Sequence, residues 1–376
     1  MTPKLFEPFT LKSVTARNRI VVSPMCQYAS REGSPTEWHF AHLGRYGVGG
    51  AGIIFYEDTA IEDIGRKTPA CAGFYREDQI ADYRRITDFV KSLGAVPAMQ
   101  LGHGGSKGST KGPHQTEMVK EGWETISAST IPPSPGIPAP RAMTEADIAD
   151  RVAMWGLAAR RSHEAGFDVM EVHGAHGYLI QQFLSPVTND RTDGYGGDLA
   201  GRMRFALEVT EEVRRNWPED KPLFFRVSAV DGAGGIWSLD DTIALCQALK
   251  ERGVDGIDCS SGGIHGSSAM GPVPRVPGYH VPYAQRIKEA TGLIVMAPGF
   301  VTEAQQAEDL LQSGAVDLIS MARELMYDSE WPIRAAEALG VEDHLKLFPP
   351  QFAFRLSERE KSRTMGINQP GAVFPM

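Results

Sequence analysis

Cysteine is scarce: the 376 residues hold four, Cys26, Cys71, Cys246 and Cys259, far apart and with no C-x-x-C pair. That spacing excludes a zinc ribbon, an iron–sulfur cluster or a dithiol centre and leaves four free thiols. Excess positive charge is missing as well. With 38 Lys and Arg against 47 Asp and Glu, the net charge is −9, so no broad surface exists to release phosphate counterions and nucleic acid is not an expected partner. No apolar run approaches the roughly 20 residues of a membrane span, and the opening MTPKLFEPFT lacks the basic-then-apolar order of a secretory signal. No membrane association is expected, and a cytoplasmic location is. Internal repeats and low-complexity tracts are absent, and so is the glycine-rich phosphate loop that would follow the first strand of a doubly wound fold.

What is present is an ordinary globular composition, 42% hydrophobic and 23% charged, able to bury a substantial core. Short β-branched runs recur between longer amphipathic stretches, the pattern of parallel βα units. Eight such runs are predicted as strands, near Arg19–Ser23, Gly52–Tyr56, Val96–Leu101, Asp168–His173, Leu223–Ser228, Gly256–Cys259, Leu293–Ala297 and Asp317–Ser320. The fold class is therefore α/β, a single-domain (β/α)8 TIM barrel over residues 1–340, with a C-terminal extension over 341–376 expected at a subunit interface. The best-punctuated helix begins at a Thr144/Asp147 capping box, carries Ile148, Val152 and Trp155 as its stripe, and stops at Gly166. The stretch from Gly102 to Met143 is rich in Gly, Ser, Thr, Pro and Lys and reads as a long loop after the third strand.

Reactive side chains collect at the C-terminal ends of these strands: Cys26, Asp58, Gln100, His173 and His176, Arg226, Ser260, Gly299 and Arg323. Any one of them has an ordinary packing role. Recurring at the same end of every strand, which in a barrel means one mouth, they imply a large ligand spanning it. His173 and His176 could share a metal, as imidazoles three residues apart do in hydrolases, but no third ligand is placed to complete the site. Two neutral imidazoles can instead donate two hydrogen bonds to one carbonyl or nitro oxygen as charge develops on it.

Longer motifs then become specific. Asn18-Arg19-Ile20 leads to Ser23-Pro24-Met25-Cys26-Gln27-Tyr28, followed by Gln100-Leu101-Gly102-His103 and His173-Gly174-Ala175-His176-Gly177-Tyr178. Arg191-Thr192-Asp193-Gly194-Tyr195-Gly196-Gly197, Arg226-Val227-Ser228-Ala229 and Cys259-Ser260-Ser261-Gly262-Gly263 complete the series. Over nearly its whole length the chain resembles the Old Yellow Enzyme family, and within it the YqjM- and xenobiotic-reductase-A-like subgroup. The resemblance implies flavin mononucleotide (FMN) as cofactor and NADPH or NADH as reductant. It also implies hydride transfer from flavin N5 to the β-carbon of an electron-poor double bond in an enone, imide or nitroalkene. The partners implied are such a small-molecule substrate and further copies of the chain, as a homodimer or homotetramer.

Residue by residue, Ser23, Pro24, Met25 and Cys26 resemble the strip beside the flavin ring. Gln100 and Arg226 resemble the groups on its pyrimidine edge, where a fixed cation suits the charge that reduction brings. Gly299, Ala322 and Arg323 resemble the phosphate site. His173 and His176 resemble the pair that binds the activating oxygen, Tyr178 the phenol that protonates the α-carbon, and Tyr28 and Cys26 substrate-side groups. Arg355 resembles an arginine that reaches a neighbouring subunit's site. The pattern breaks at Asp58, where the family has a small residue near the flavin; a carboxylate there disfavours the reduced anion unless it points away. Gly104-Gly105-Ser106-Lys107 and Ala297-Pro298-Gly299-Phe300 also depart from the usual forms, and Ala322 stands in place of glycine. The alternatives are a flavin-dependent dehydrogenase or reductase on another substrate class, and a metal-dependent barrel hydrolase using His173 and His176.

Overall fold

The computed structural model describes residues 2–112, 118–119, 122–232, 236–264 and 275–365. Eight parallel strands run in chain order around a barrel: β1 (Ile20–Val22), β2 (Ile53–Ala60), β3 (Val96–Gly102), β4 (Val169–Gly174), β5 (Leu223–Ser228), β6 (Gly256–Ser260), β7 (Ile294–Met296) and β8 (Ile319–Met321). Neighbours pair in sequence order and β8 pairs with β1. Between β7 and β8 the ring closes through a single parallel bridge, Met296 to Leu318.

Each strand alternates between two apolar environments, as a pleated strand must. Met99, Leu101, Met170, Val172, Phe225, Val227, Ile257 and Cys259 face the helix layer. Ala98, Val169, Phe224, Ile53, Phe55, Val21, Met296 and Leu318 form a separate cluster with Phe9 and Ala16. Those two residues belong to an N-terminal hairpin, Phe9–Leu11 paired with Val14–Ala16, which plugs the end of the barrel where the strands begin. Above that plug the inward positions turn polar: Gln100, Glu171, Arg226 and Asp258, then His173, Ser228 and Ser260. The apolar layer seals the bottom, so the chemistry is confined to the top.

The helices follow from their caps and stripes. Helix α1 (Glu145–Glu164) starts where expected, Thr144 Oγ1 accepting from Asp147 N at 3.1 Å and Asp147 Oδ2 accepting from Thr144 N at 2.8 Å. Ile148 and Trp155 are buried, Val152 packs partly against the same core, and Gly166, at φ +90°, turns the chain back toward β4. Beyond β8, helix α2 (Trp331–Ala338) packs on the barrel, and α3 (Pro350–Thr364) follows a 3-10 turn at His344–Leu347. Of the proposed extension over 341–376, residues 366–376 lie outside the described residues. The loop after β3 carries a 3-10 turn at Gly105–Lys107 and a two-residue ribbon joining Ile126–Ser127 to Arg141–Ala142.

Candidate active site

Strand register assembles the mouth. Asp58 pairs with Gln100, Gln100 with Glu171, His173 with Arg226, Arg226 with Asp258, and Ser228 with Ser260. Side chains far apart in sequence therefore share one level of the barrel.

At the lower level Gln100 Nε2 donates to Glu171 Oε1 at 2.6 Å. Arg226 Nε lies 3.1 Å from Asp258 Oδ2 but out of line for a hydrogen bond, so charge alone holds the pair. Burial, and then the Asp258 charge, push the Glu171 carboxyl well above the usual range, so it is held protonated against the single arginine. Glu171 and Asp258 escaped the motif reading. A carboxylate at alternate positions of an apolar strand, as in Val169-Met170-Glu171-Val172 and Gly256-Ile257-Asp258-Cys259, was the signal that an inward polar layer existed.

At the upper level the two imidazoles meet edge to face, with ring centres 5.0 Å apart and His176 Nδ1 3.3 Å from His173 Nε2. The ring of Tyr178 stands 5.2 Å from that of His173. His173 Nδ1 faces the Ala175 N–H at 3.4 Å, and His176 Nε2 lies 2.7 Å from Ser260 Oγ. With the first contact the His173 proton sits on Nε2. A Ser260 proton given to His176 Nε2 leaves the His176 proton on Nδ1, so the two facing nitrogens are both donors, neither bonds the other, and both are left for an oxygen acceptor. Burial, and then the Arg226 charge, hold both rings well below the usual histidine range, so both are neutral donors at pH 7. His176 itself is at φ +62°, and its N–H donates to Ser228 Oγ at 3.1 Å.

The strip after β1 is anchored from behind. Glu57 Oε2 accepts from Gln27 N and Glu57 Oε1 contacts His39 Nε2, each at 2.9 Å. This fixes the turn carrying Pro24, Met25, Cys26 and Tyr28, the last at φ +53°. Ser23 Oγ contacts Ser320 Oγ at 2.6 Å, joining β1 to β8 beneath the mouth. Cys26 keeps part of its surface accessible, yet burial pushes its thiol up to about 12.

Asp58 lies beyond a register shift in β2, and its side chain turns to the buried ammonium of Lys67. A Cβ on Gly102 would come within 2.0 Å of Asp58 Oδ1, so the glycine is what makes room for the carboxylate. Lys67 Nζ stands 4.9 Å from the centre of the Tyr178 ring, and Lys107 Nζ stands 5.7 Å from it. Lys107 also donates to the carbonyl oxygens of His176 and Gly263. Sequence reasoning missed Lys67, because a lysine in Gly65-Arg66-Lys67-Thr68 reads as a solvated loop residue until three loops close over it.

At the ends of β7 and β8 a cavity of about 310 Å³ is lined by Tyr279, Gly299, Phe300, Thr302, Ala322 and Arg323, among others. Among the described residues Arg323 makes no ion pair; its guanidinium lies 5.7 Å from the Phe300 ring centre. Glu324 lines the same cavity but does not pair with Arg323, and a cation left unpaired there suits a phosphate; the Arg226 guanidinium, with Asp258 as its counter-charge, suits the acceptor edge of a planar ring. The residues thus fit FMN at both of its ends. Arg355 is not gathered with the others: it is exposed on α3, its guanidinium 5.2 Å from the Phe354 ring centre. Among the described residues, no three His, Cys, Asp or Glu side chains are grouped to hold a metal ion. No helix among them is long and apolar enough to cross a membrane.

Residues 4–342 match the model of the NADH:flavin oxidoreductase / NADH oxidase family. The NADPH dehydrogenase of Halalkalibacterium halodurans is 40% identical over 342 residues, 90% of this chain and 96% of the relative. That of Bacillus subtilis is 38% identical over 344 residues, 91% of this chain and 97% of the relative. Among solved structures, morphinone reductase superposes with a TM-score of 0.75 at 23% identity over 90% of each chain, which bears on the fold alone.

Proposed function

The chain belongs to the NADH:flavin oxidoreductase / NADH oxidase family, an NAD(P)H-dependent flavin oxidoreductase with FMN as its cofactor, and on that premise we propose that it reduces activated alkenes. The observation that carries the reading is the neutral His173–His176 pair, 3.3 Å apart with Tyr178 beside it. When bound, FMN supplies a two-electron carrier that accepts hydride from the nicotinamide and returns it to the second substrate.

The protein's own groups do the rest. His173 Nε2–H and His176 Nδ1–H hold the carbonyl or nitro oxygen of an enone, imide or nitroalkene and stabilise the negative charge that grows on it. Donors fixed before the charge appears are worth about 10²–10³ in rate each. Being neutral, they bind the oxygen without first giving up a proton. Tyr178 Oη–H gives its proton to the α-carbon. Gln100 and Arg226 hold the ring edge of the cofactor, Gly299, Ala322 and Arg323 its phosphate, and Ser23, Pro24, Met25 and Cys26 its flank. Asp58, neutralised by Lys67, adds no net charge beside it. Tyr28 shapes the substrate side, and Arg355 belongs to a contact with a second copy of the chain. The barrel is plugged below, so reductant and acceptor share one opening in turn, and ping-pong kinetics follow.

Visible absorption of the purified protein, before and after anaerobic NADPH, tests the first half: flavin bands that bleach support it, and a protein that neither carries nor takes up FMN sinks it. For the second half, the His173→Ala/His176→Ala variant is expected to bleach with NADPH but to lose about 10³-fold or more in the rate of reoxidation by an enone. Reoxidation at the native rate would remove the imidazole pair from the reaction.

A further inference from the structure

We propose that Lys67, fixed by its ion pair with Asp58, is a positioning residue that makes the Tyr178 phenol a stronger proton donor. The inference rests on the reading of Tyr178 as the group that protonates the substrate carbon.

The geometry is built rather than incidental. The Lys67 side chain is 9% exposed and so is that of Asp58. Its main chain is pinned, the Lys67 carbonyl accepting from Thr110 N at 2.9 Å and from Thr110 Oγ1 at 3.0 Å. Asp58 is set by the end of β2 and by the bare backbone of Gly102. The ammonium is thereby placed 4.9 Å from the centre of the Tyr178 ring. A buried Asp–Lys pair is a poor way to stabilise a fold, since taking two charges out of water costs about as much as their attraction returns. Its position against the proton donor gives it a use.

In the proposed step the Tyr178 O–H bond breaks and its proton joins the α-carbon, which holds the electron pair left when hydride reaches the β-carbon. A C–H bond forms, and the phenolate keeps the O–H electron pair until solvent returns a proton. Phenolate charge spreads into the ring, so a cation beside the ring favours phenolate over phenol. Burial pushes the Tyr178 phenol up, and Lys67 is the largest influence pulling it back. Lys67 keeps its own proton. Burial alone would lower it, but the Asp58 charge holds it well above the usual lysine range.

The test replaces Tyr178 with 3,5-difluorotyrosine and follows its ionisation by fluorine NMR in the oxidised holoenzyme. In an Asp58→Asn/Lys67→Met background the ionisation should move upward by about one pH unit or more, whereas Lys67→Arg should hold it near the parent value. Reoxidation by an enone should slow by about tenfold in the neutral-pair variant and recover when a more acidic trifluorotyrosine stands at 178. An unshifted fluorotyrosine ionisation, or a slow variant that the acidic phenol does not rescue, overturns the proposal. Tyr178→Phe with unimpaired reoxidation overturns instead the reading on which it rests.

Discussion

At Cys26 burial and charge pull against each other. Burial dominates, and Asp58 and Glu57 add to it, while Lys67 pulls the other way; the net is a thiol pushed up to about 12. Only the thiolate alkylates, so Cys26 is expected to resist iodoacetamide through pH 7–9 despite its exposed edge, with the rate climbing only as the pH nears 12. Mass spectrometry of the labelled peptide measures this, and rapid labelling at pH 7.5 would contradict the neutral thiol. The same residue scale shows what sequence could and could not reveal. His173, His176 and Tyr178 were legible because they sit within seven residues of one strand end. Lys67 was not, because its burial comes from contacts with β2, the loop after β3 and Tyr178, which no local pattern encodes. Asp58 was legible only as an anomaly, and its partner had to be seen before the anomaly became a neutral pair.

Among the elements, helix α1 is the one whose sequence and structure coincide most closely. Thr144 and Asp147 satisfy each other's backbone N–H groups, and Asp147 also receives Arg141 Nη1 at 2.7 Å. Removing the cap with Thr144→Ala is expected to cost about 1 kcal/mol and, in a chain of this size, to lower Tm by about 1–2 °C; calorimetry on the holoenzyme checks it. Strand existence and order were readable from the alternation of β-branched runs with amphipathic stretches. Strand ends were less so: β7 and β8 are three residues each, shorter than the apolar runs that announced them. Their neighbours Pro298 and Ala322 leave the ladder to line the cavity at the strand ends. The N-terminal hairpin was not foreseen, because Phe9, Leu11 and Val14 are too few to form a pattern without the barrel floor they cover.

For the molecule as a whole, several histidines are buried neutral. Burial, followed by His39 and Arg45, lowers His42 to about 4, and burial also lowers His280 to about 4. His173 and His176 lie in the same direction. The unfolded chain takes up these protons near pH 6.5 while the folded chain refuses them. Their contribution is therefore intact above pH 6.5 and is lost as the pH falls toward 4, by about 1.4 kcal/mol per pH unit for each such histidine. Urea midpoints at pH 7, 5.5 and 4.5 should fall in that order, and His42→Gln should take one share out of the slope. A flat profile would mean these side chains are hydrated in the folded state.

The thinnest part of the barrel wall is the seam between β7 and β8, where one parallel bridge joins Met296 to Leu318, backed by Asp317 N–H to Val295 O at 2.9 Å and Val295 N–H to Asp317 Oδ2 at 3.0 Å, and the phosphate proposed for Gly299 and Arg323 lies across its upper end. On that placement the cofactor is also a clasp. Stripping it would leave the wall to unzip from this seam, and amide deuterium uptake in Ile294–Met296 and Ile319–Met321 would rise before it rose in β3 or β4. The cell's supply of flavin would then set how long a newly made copy survives proteolysis, as well as whether it turns over.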